Sequence, residues 1–175
     1  MPAPLVRESR DCQRCSARNV NNRKCARRTC KIAHVCWQHL KSIYHLQVKK
    51  SRIPGAGLGL FTTEPIKVRR GGTQRIVQYA ARNRFTPKLT ERAVDDLYGD
   101  GLAVYVWCKN RNECYDARST QSTNARRANG CDRPGQRQQC NARITQGGWL
   151  VAQKSIPKGG EIFIPYGPEY WRGRP

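Results

Sequence analysis

Residues 51–61 read SRIPGAGLGLF, with glycine at every second position from 55 to 59. Glycine costs backbone entropy in helices and in strands, so this spacing indicates a turn in which the main chain approaches another group closely. A dinucleotide-binding loop would open a helix and precede an acidic residue by about 20 positions. Here Pro65 interrupts a strand-like piece, and no acidic residue lies between Glu64 and Glu91. The sequence therefore argues against a dinucleotide site.

Two further motifs follow this glycine loop along the chain. Residues 124–131 read NARRANGC, and residues 156–171 read IPKGGEIFIPYGPEYW. In this order, the three motifs resemble those of the SET-domain protein lysine methyltransferases, over roughly residues 48–171. The chain departs from the family pattern at Gly130 (often His), Thr73 (Glu) and Pro165 (Asp), and it lacks zinc-binding cysteines after Trp171.

The resemblance implies a mixed, mostly β, SET-domain-like fold of several small sheets with a threaded C-terminal segment and short helices. We divide the chain into a flexible lead (1–11), a Cys/His zinc knuckle (12–40, "the knuckle"), a linker or short helix (41–47), the SET-like domain (48–171) and a tail (172–175). The knuckle contains little apolar periodicity, so we expect a metal to organise it. We also expect the knuckle and the later domain to have separate sources of stability.

Local patterns predict several elements of the later domain. Short segments rich in β-formers predict strands at residues 74–79, 103–108, 149–153 and 161–164. Apolar residues at helical spacing predict a helix at 90–98, with Thr90 as its N-cap. Residues 117–147 are polar and Arg-rich, which predicts a loop.

The charge of the chain is strongly asymmetric. The formal net charge is +21, and residues 1–52 contain 13 Lys and Arg against Glu8 and Asp11. This imbalance favours a polyanionic partner, so we expect the basic N-terminus to contact nucleic acid or chromatin. No apolar run approaches the length of a membrane span, and no secretory segment is apparent, so we expect an intracellular protein. With the basic N-terminus, we expect it to be nuclear or chromatin-associated.

Six of the twelve acidic residues lie between positions 91 and 116. The resembling family lays its peptide substrate between the first two motifs. The resemblance therefore implies that this acidic island attracts a basic protein or peptide, guided by Asp95, Asp96 or Asp100.

The nine cysteines favour metal ligation over disulfides if the protein lies in a reducing compartment. Zinc takes four N/S ligands, and a C-x2-H step lets one turn supply two of them. The predicted zinc ligands are Cys15, Cys25, Cys36 and His39, with Cys12 and Cys30 as substitutes. The four later cysteines either bind a second metal ion or serve as small buried apolar residues; these are Cys108, Cys114, Cys131 and Cys140.

The resemblance also implies a site for S-adenosylmethionine. Main-chain groups of the glycine loop would face this methyl donor. A side-chain amide and backbone groups would form hydrogen bonds with the polar groups of the donor, and an aromatic ring would stack on its adenine. The implied donor-binding residues are Gly55, Ala56, Gly57, Leu58, Arg126, Asn129, Gly130, Tyr170 and Trp171.

A lysine side chain would enter opposite the donor through an aromatic channel, which stabilises an alkylammonium by cation–π attraction. Tyr166 matches the catalytic tyrosine of the family, and Tyr79 and Tyr105 are candidate walls. We expect Glu161 to be a solvated turn residue.

These features predict an S-adenosylmethionine-dependent protein lysine N-methyltransferase with a zinc knuckle, acting on a histone or another basic protein. The alternative is a catalytically silent SET-like adaptor that binds nucleic acid or chromatin. Gly130 and Thr73 favour the adaptor, whereas Tyr166, Asn129 and the intact glycine loop favour the enzyme.

Overall fold

The computed structural model describes residues 10–81, 83–99, 103–132 and 139–171. Asp100, most of the lead and the tail at 172–175 lie outside these ranges. The strands are β1 (Gln13–Arg14), β2 (Arg28–Thr29), β3 (Leu46–Lys50), β4 (Leu58–Thr62), β5 (Gln74–Gln78), β6 (Lys88–Leu89), β7 (Val106–Asn110), β8 (Glu113–Asp116), β9 (Asn129–Gly130), β10 (Ala142–Ile144), β11 (Trp149–Ala152) and β12 (Phe163–Ile164). The helices are α1 (Trp37–Tyr44), α2 (Glu91–Tyr98) and α3 (Pro168–Trp171), with a 3₁₀ helix at Asn124–Arg127.

The strands form small sheets, as expected. Their orders are β1-β2, β3-β4, β6-β8-β7, β10-β11-β5 and β12-β9, and among these described strands only the last pair is parallel. The broad expectation of a mostly β fold with short helices and an N-terminal Cys/His cluster is confirmed. The SET-domain assignment stays a prediction. Within the described ranges, no helix combines the length and the apolar character that a membrane crossing requires.

Local signals located several elements well. Helix α2 begins at Glu91, and the Thr90 hydroxyl accepts a hydrogen bond from the Ala93 amide at 3.1 Å, as an N-cap does. The helix expected around 41–47 instead begins at Trp37, inside the knuckle, and ends before His45, whose φ is 53°. Strand β7 begins later than expected, at Val106, and β12 begins at Phe163.

The polar segment 117–128 is buried rather than a surface loop. Nearly all of its residues are buried, including the polar side chains of Gln121 and Ser122. The knuckle provides hydrogen-bonding partners for two side chains of this segment. The Asn124 side chain accepts from the Ala33 amide (2.9 Å) and donates to the Ala33 carbonyl (3.2 Å). Gln121 Nε2 donates to the Thr29 carbonyl at 3.0 Å. Burial of this segment is possible because each of these contacts satisfies a polar group that water would otherwise bond.

The knuckle and the later domain share one hydrophobic core. Cys15, Val35 and Leu40 of the knuckle belong to the same buried cluster as Ala125 and Leu150. The expectation of separate sources of stability is therefore wrong. The knuckle lacks enough apolar residues for a core of its own, so it completes the core of its neighbour.

Three disulfides use six of the nine cysteines: Cys12–Cys30, Cys108–Cys114 and Cys131–Cys140. The expectation of metal ligation over disulfides is wrong for these six. A disulfide sulfur offers no thiolate, so Cys12 and Cys30 cannot act as substitute ligands. For the same reason, the later four cysteines form no second metal site.

Candidate functional site

The glycine loop is a tight turn between β3 and β4. Gly55 and Gly57 have φ values of 78° and 70°, a region that glycine adopts without steric cost. The Ser51 amide donates to the Gly57 carbonyl at 2.8 Å and closes the turn. Gly59 instead lies inside β4, where a Cβ would overlap the carboxylate of Glu161. The close approach that the sequence predicted is therefore made by Glu161.

Glu161 is a buried carboxylate that joins all three motifs. Only 2% of its surface is exposed. Its Oε1 accepts hydrogen bonds from Ser51 Oγ (2.6 Å) and Asn129 Nδ2 (3.1 Å), and its Oε2 accepts from the Arg52 amide (2.8 Å). The expectation of a solvated turn residue is wrong, because donors from two distant segments converge on this carboxylate.

Asn129 lies where the second and third motifs meet. Strand β9 pairs in parallel with β12, so that Asn129 is opposite Phe163 and Gly130 is opposite Ile164. Asn129 Nδ2 also donates to the Leu58 carbonyl at 3.2 Å, which ties it to the end of the glycine loop. Leu58 and Asn129, two predicted donor-binding residues, are thus in direct contact.

Tyr166 packs directly against the second motif. Its hydroxyl donates to the Ala128 carbonyl at 2.8 Å. A Cβ on Gly130 would lie 2.7 Å from Tyr166 Cδ2 and 2.8 Å from Trp171 Cζ2. Glycine at position 130, where the resembling family often has His, therefore leaves the space that the two rings occupy.

Asp132 fixes the C-terminal aromatic residues, and sequence reasoning missed it. It accepts hydrogen bonds from the Tyr166 amide (2.9 Å), the Gly167 amide (2.6 Å) and Trp171 Nε1 (2.6 Å). Burial opposes the charge of Asp132, but these donors outweigh burial and hold its pKa below the ordinary value. The carboxylate is therefore charged at neutral pH and anchors Tyr166 and Trp171.

Four aromatic side chains line a narrow pocket of about 90 Å³: Tyr79, Trp107, Tyr166 and Tyr170. The Tyr166 and Tyr170 rings lie 4.5 Å apart, edge to face. The Tyr79 hydroxyl donates to the Tyr105 carbonyl at 2.8 Å, and burial raises the Tyr79 pKa, so this phenol stays neutral. Trp107 was not predicted, because a single tryptophan in a strand carries no periodic signal.

Two predicted site residues, Arg126 and Tyr105, contact each other beside the aromatic pocket. Arg126 is placed in the wall of the aromatic pocket, where its guanidinium lies 3.8 Å from the centroid of the Tyr105 ring. It donates to the carbonyls of Ala117 (2.6 Å) and Arg118 (3.1 Å). Tyr105 therefore supports the pocket through its carbonyl and its contact with Arg126.

The acidic island lies beside the aromatic pocket. On the buried side of α2, Val94 and Tyr98 cluster with Ala103 and Val106, two residues that also line the pocket. Asp95 and Asp96 are exposed on the same helix, and no described residue forms an ion pair with either. The other described acids of the island pair with cations: Glu91 with Arg111, Glu113 with Lys88 and Lys109, and Asp116 with Arg118.

The four predicted metal ligands come together in the knuckle. The ligand atoms of Cys15, Cys25, Cys36 and His39 all lie within 4.8 Å of one another. His39 Nδ1 is 3.4 Å from Cys15 Sγ and 3.3 Å from Cys36 Sγ. Cys36 directly precedes α1 and His39 lies in its first turn, as the C-x2-H step predicted. Three thiols and one imidazole are a donor set that can bind a metal ion.

No protein-family model matches the chain, and no curated protein sequence matches it. The interpretation of the site therefore rests on its geometry.

The Glu161→Gln substitution tests the junction of the three motifs. One carboxylate oxygen becomes an NH2 group that faces a hydrogen-bond donor, so we expect a loss of about 2–3 kcal/mol in the free energy of unfolding. Denaturant titration measures the loss. The matched control is Glu64→Gln, which removes an exposed carboxylate paired with Lys158 and should change the free energy by less than about 0.5 kcal/mol. Equal effects of the two substitutions would contradict the structural role of Glu161.

Proposed function

We propose that the protein is an S-adenosylmethionine-dependent protein lysine N-methyltransferase. The observation that carries the proposal is the aromatic pocket, whose Tyr166 lies against the strand that contains Asn129. A narrow aromatic pocket suits an alkylammonium side chain. Asn129 of that strand donates to the Leu58 carbonyl and to the buried Glu161, so a donor site beside Leu58 would be linked through β9 to an acceptor site in the pocket.

Leu58, Asn129, Gly130 and Trp171 would line the proposed donor site. S-adenosylmethionine would supply an electrophilic methyl group there. Gly55 and Gly57 have open space beside their α carbons, so a bound group can approach their main chain. Ala56 lies between them and would contribute its main chain. Tyr170 lies in the aromatic pocket, which favours Trp171 over Tyr170 as the residue that stacks on adenine.

The two pocket tyrosines suit the orientation of an amine. The hydroxyl protons of Tyr79 and Tyr166 already point to the carbonyls of Tyr105 and Ala128. The lone pairs of both phenol oxygens can therefore accept N–H bonds from a lysine amine. Such bonds would align the nitrogen with the methyl group, and alignment supplies much of the rate in a displacement reaction.

The experiment compares wild type with Tyr166→Phe in a radiolabelled methyl-transfer assay on histones and on cell lysate. The substitution removes one hydroxyl and keeps the ring, so donor binding by calorimetry should survive. Turnover should fall by about 100-fold, or the number of methyl groups added should change. Tyr44→Phe, on an exposed ring of α1, is the control and should leave both unchanged. Unaltered turnover and product in Tyr166→Phe would refute the role.

The second candidate is a catalytically silent SET-like adaptor for nucleic acid or chromatin. The exposed cations of the knuckle favour it. Calorimetry separates the two candidates, because an adaptor without a donor site releases no heat of S-adenosylmethionine binding. In either case the expected intracellular, nuclear location stays a prediction.

The proposed substrate is a basic peptide drawn to the pocket by Asp95 and Asp96. Each exposed charge pair contributes about 0.2–1 kcal/mol. The double substitution Asp95→Asn/Asp96→Asn should therefore raise KM for a lysine-rich peptide about 2- to 30-fold, with little change in kcat. Glu64→Gln removes a comparable exposed charge outside the island and serves as the control. If KM of the double variant equals that of the control, these residues do not guide the substrate.

The metal is proposed to be zinc, at about one ion per chain, because three thiolates and an imidazole match its preferred ligands. Because the knuckle bonds to the buried segment 117–128, chelation should increase hydrogen exchange both in the knuckle and in that segment. The β7-β8 ladder has its own disulfide and serves as the internal reference. Unchanged protection of 117–128 after metal removal would contradict the coupling.

A further inference from the structure

Like charges face each other across the strands of the knuckle. In the β1-β2 ladder, Arg14 is the direct partner of Arg28. A separate antiparallel bridge places Arg18 opposite Lys24. Like charges directly opposite on antiparallel strands destabilise the pair. Two pairs of opposed cations in so small a module indicate that the positive charge of this surface serves to bind a ligand.

Nothing within the described part of the knuckle neutralises these cations. Residues 12–40 contain seven Lys and Arg and no Asp or Glu, and all seven cations are exposed. None of the four opposed cations forms an ion pair with a described carboxylate. Asp11, the described acid next to the knuckle, accepts a hydrogen bond from Ser119 in the later domain instead. Among the residues that the structure describes, no carboxylate pairs with these four cations, so they are open to anions from solution or from a partner.

Arg14 and Arg18 are already held in place by hydrogen bonds within the knuckle. Arg14 Nε donates to the Cys25 carbonyl at 2.9 Å, and an Arg18 terminal nitrogen donates to the Asn22 carbonyl at 2.7 Å. A guanidinium has five N–H donors, so one anchoring bond leaves others for a phosphate. Anchoring also reduces the conformational entropy lost when a ligand binds.

We propose that the knuckle binds the phosphate backbone of nucleic acid through these two opposed cation pairs, Arg14/Arg28 and Arg18/Lys24, called the cation ladder here. An acidic protein partner is less suited, because protein interfaces derive most of their energy from a few anchors buried in packed pockets, whereas these four cations are exposed. The cation ladder offers charge alone, and charge alone supplies essentially all of the non-specific affinity for nucleic acid. The proposal does not depend on methyl transfer.

The test measures the binding of full-length, metal-loaded protein to a short labelled DNA duplex over a range of salt concentrations. The ladder variant is Arg14→Gln/Arg18→Gln/Lys24→Gln/Arg28→Gln. Each phosphate contact to duplex DNA contributes about 0.9 to the slope of log K against log salt, so the slope should fall by about 3 to 4. The control removes the same charge from exposed cations outside the knuckle, Lys67→Gln/Arg69→Gln/Arg70→Gln/Lys154→Gln, and should keep most of the slope.

Two further measurements make the result decisive. Metal content should be unchanged in the ladder variant, and its melting temperature should stay close to that of wild type, because the relief of two like-charge oppositions offsets the loss of two exposed hydrogen bonds. A lower slope with intact metal then assigns the loss to phosphate contacts. Equal losses in both variants would show that only net charge matters and would overturn the proposal. Ladder-dependent binding of labelled poly-glutamate, with DNA binding unaffected by the ladder substitutions, would overturn it in favour of an acidic protein.

Discussion

The buried carboxylate of Glu161 is the constraint on which the arrangement of the three motifs depends. It accepts hydrogen bonds from the adjacent Ser51 and Arg52 and from Asn129, so its donors come from two segments that lie far apart along the chain. A buried charge is tolerated only when donors surround it, so these segments must converge for the protein to fold. The same carboxylate occupies the space where a side chain at position 59 would lie, which explains why that position is glycine.

The knuckle has an equally physical role in the fold. Segment 117–128 is polar and irregular, and such a segment normally lies at the surface, where water satisfies its backbone. Here Asn124 accepts a hydrogen bond from the knuckle and Gln121 donates one to it, and the shared core excludes water. The segment leads directly to Asn129 and carries Arg126, so the cover supplied by the knuckle positions residues of the candidate site.

The aromatic pocket and the cation ladder suit ligands of opposite charge. Tyr79, Tyr166 and their neighbours form an enclosed site that suits a single alkylammonium group. The ladder is open to solvent, where screening by salt is strong. A basic substrate that is bound to nucleic acid would meet both surfaces on one molecule. The chain has a net charge of +21 and would repel such a substrate, and the exposed carboxylates of Asp95 and Asp96 would offset this repulsion near the pocket.

The sequence by itself determined the local features: the turn at Gly55 and Gly57, the Thr90 cap and the Cys36–His39 step. Each depends on residues within a few positions of one another, so composition and spacing suffice to predict it. Only the tertiary structure decided that Glu161 is buried, that six cysteines pair with one another, and that arginines oppose each other across strands. Glu161 joins segments distant in sequence, and even the cysteines 6 and 9 positions apart pair only because the fold brings their sulfur atoms together. The spacing of residues along the chain does not show which of these groups come into contact in the folded protein.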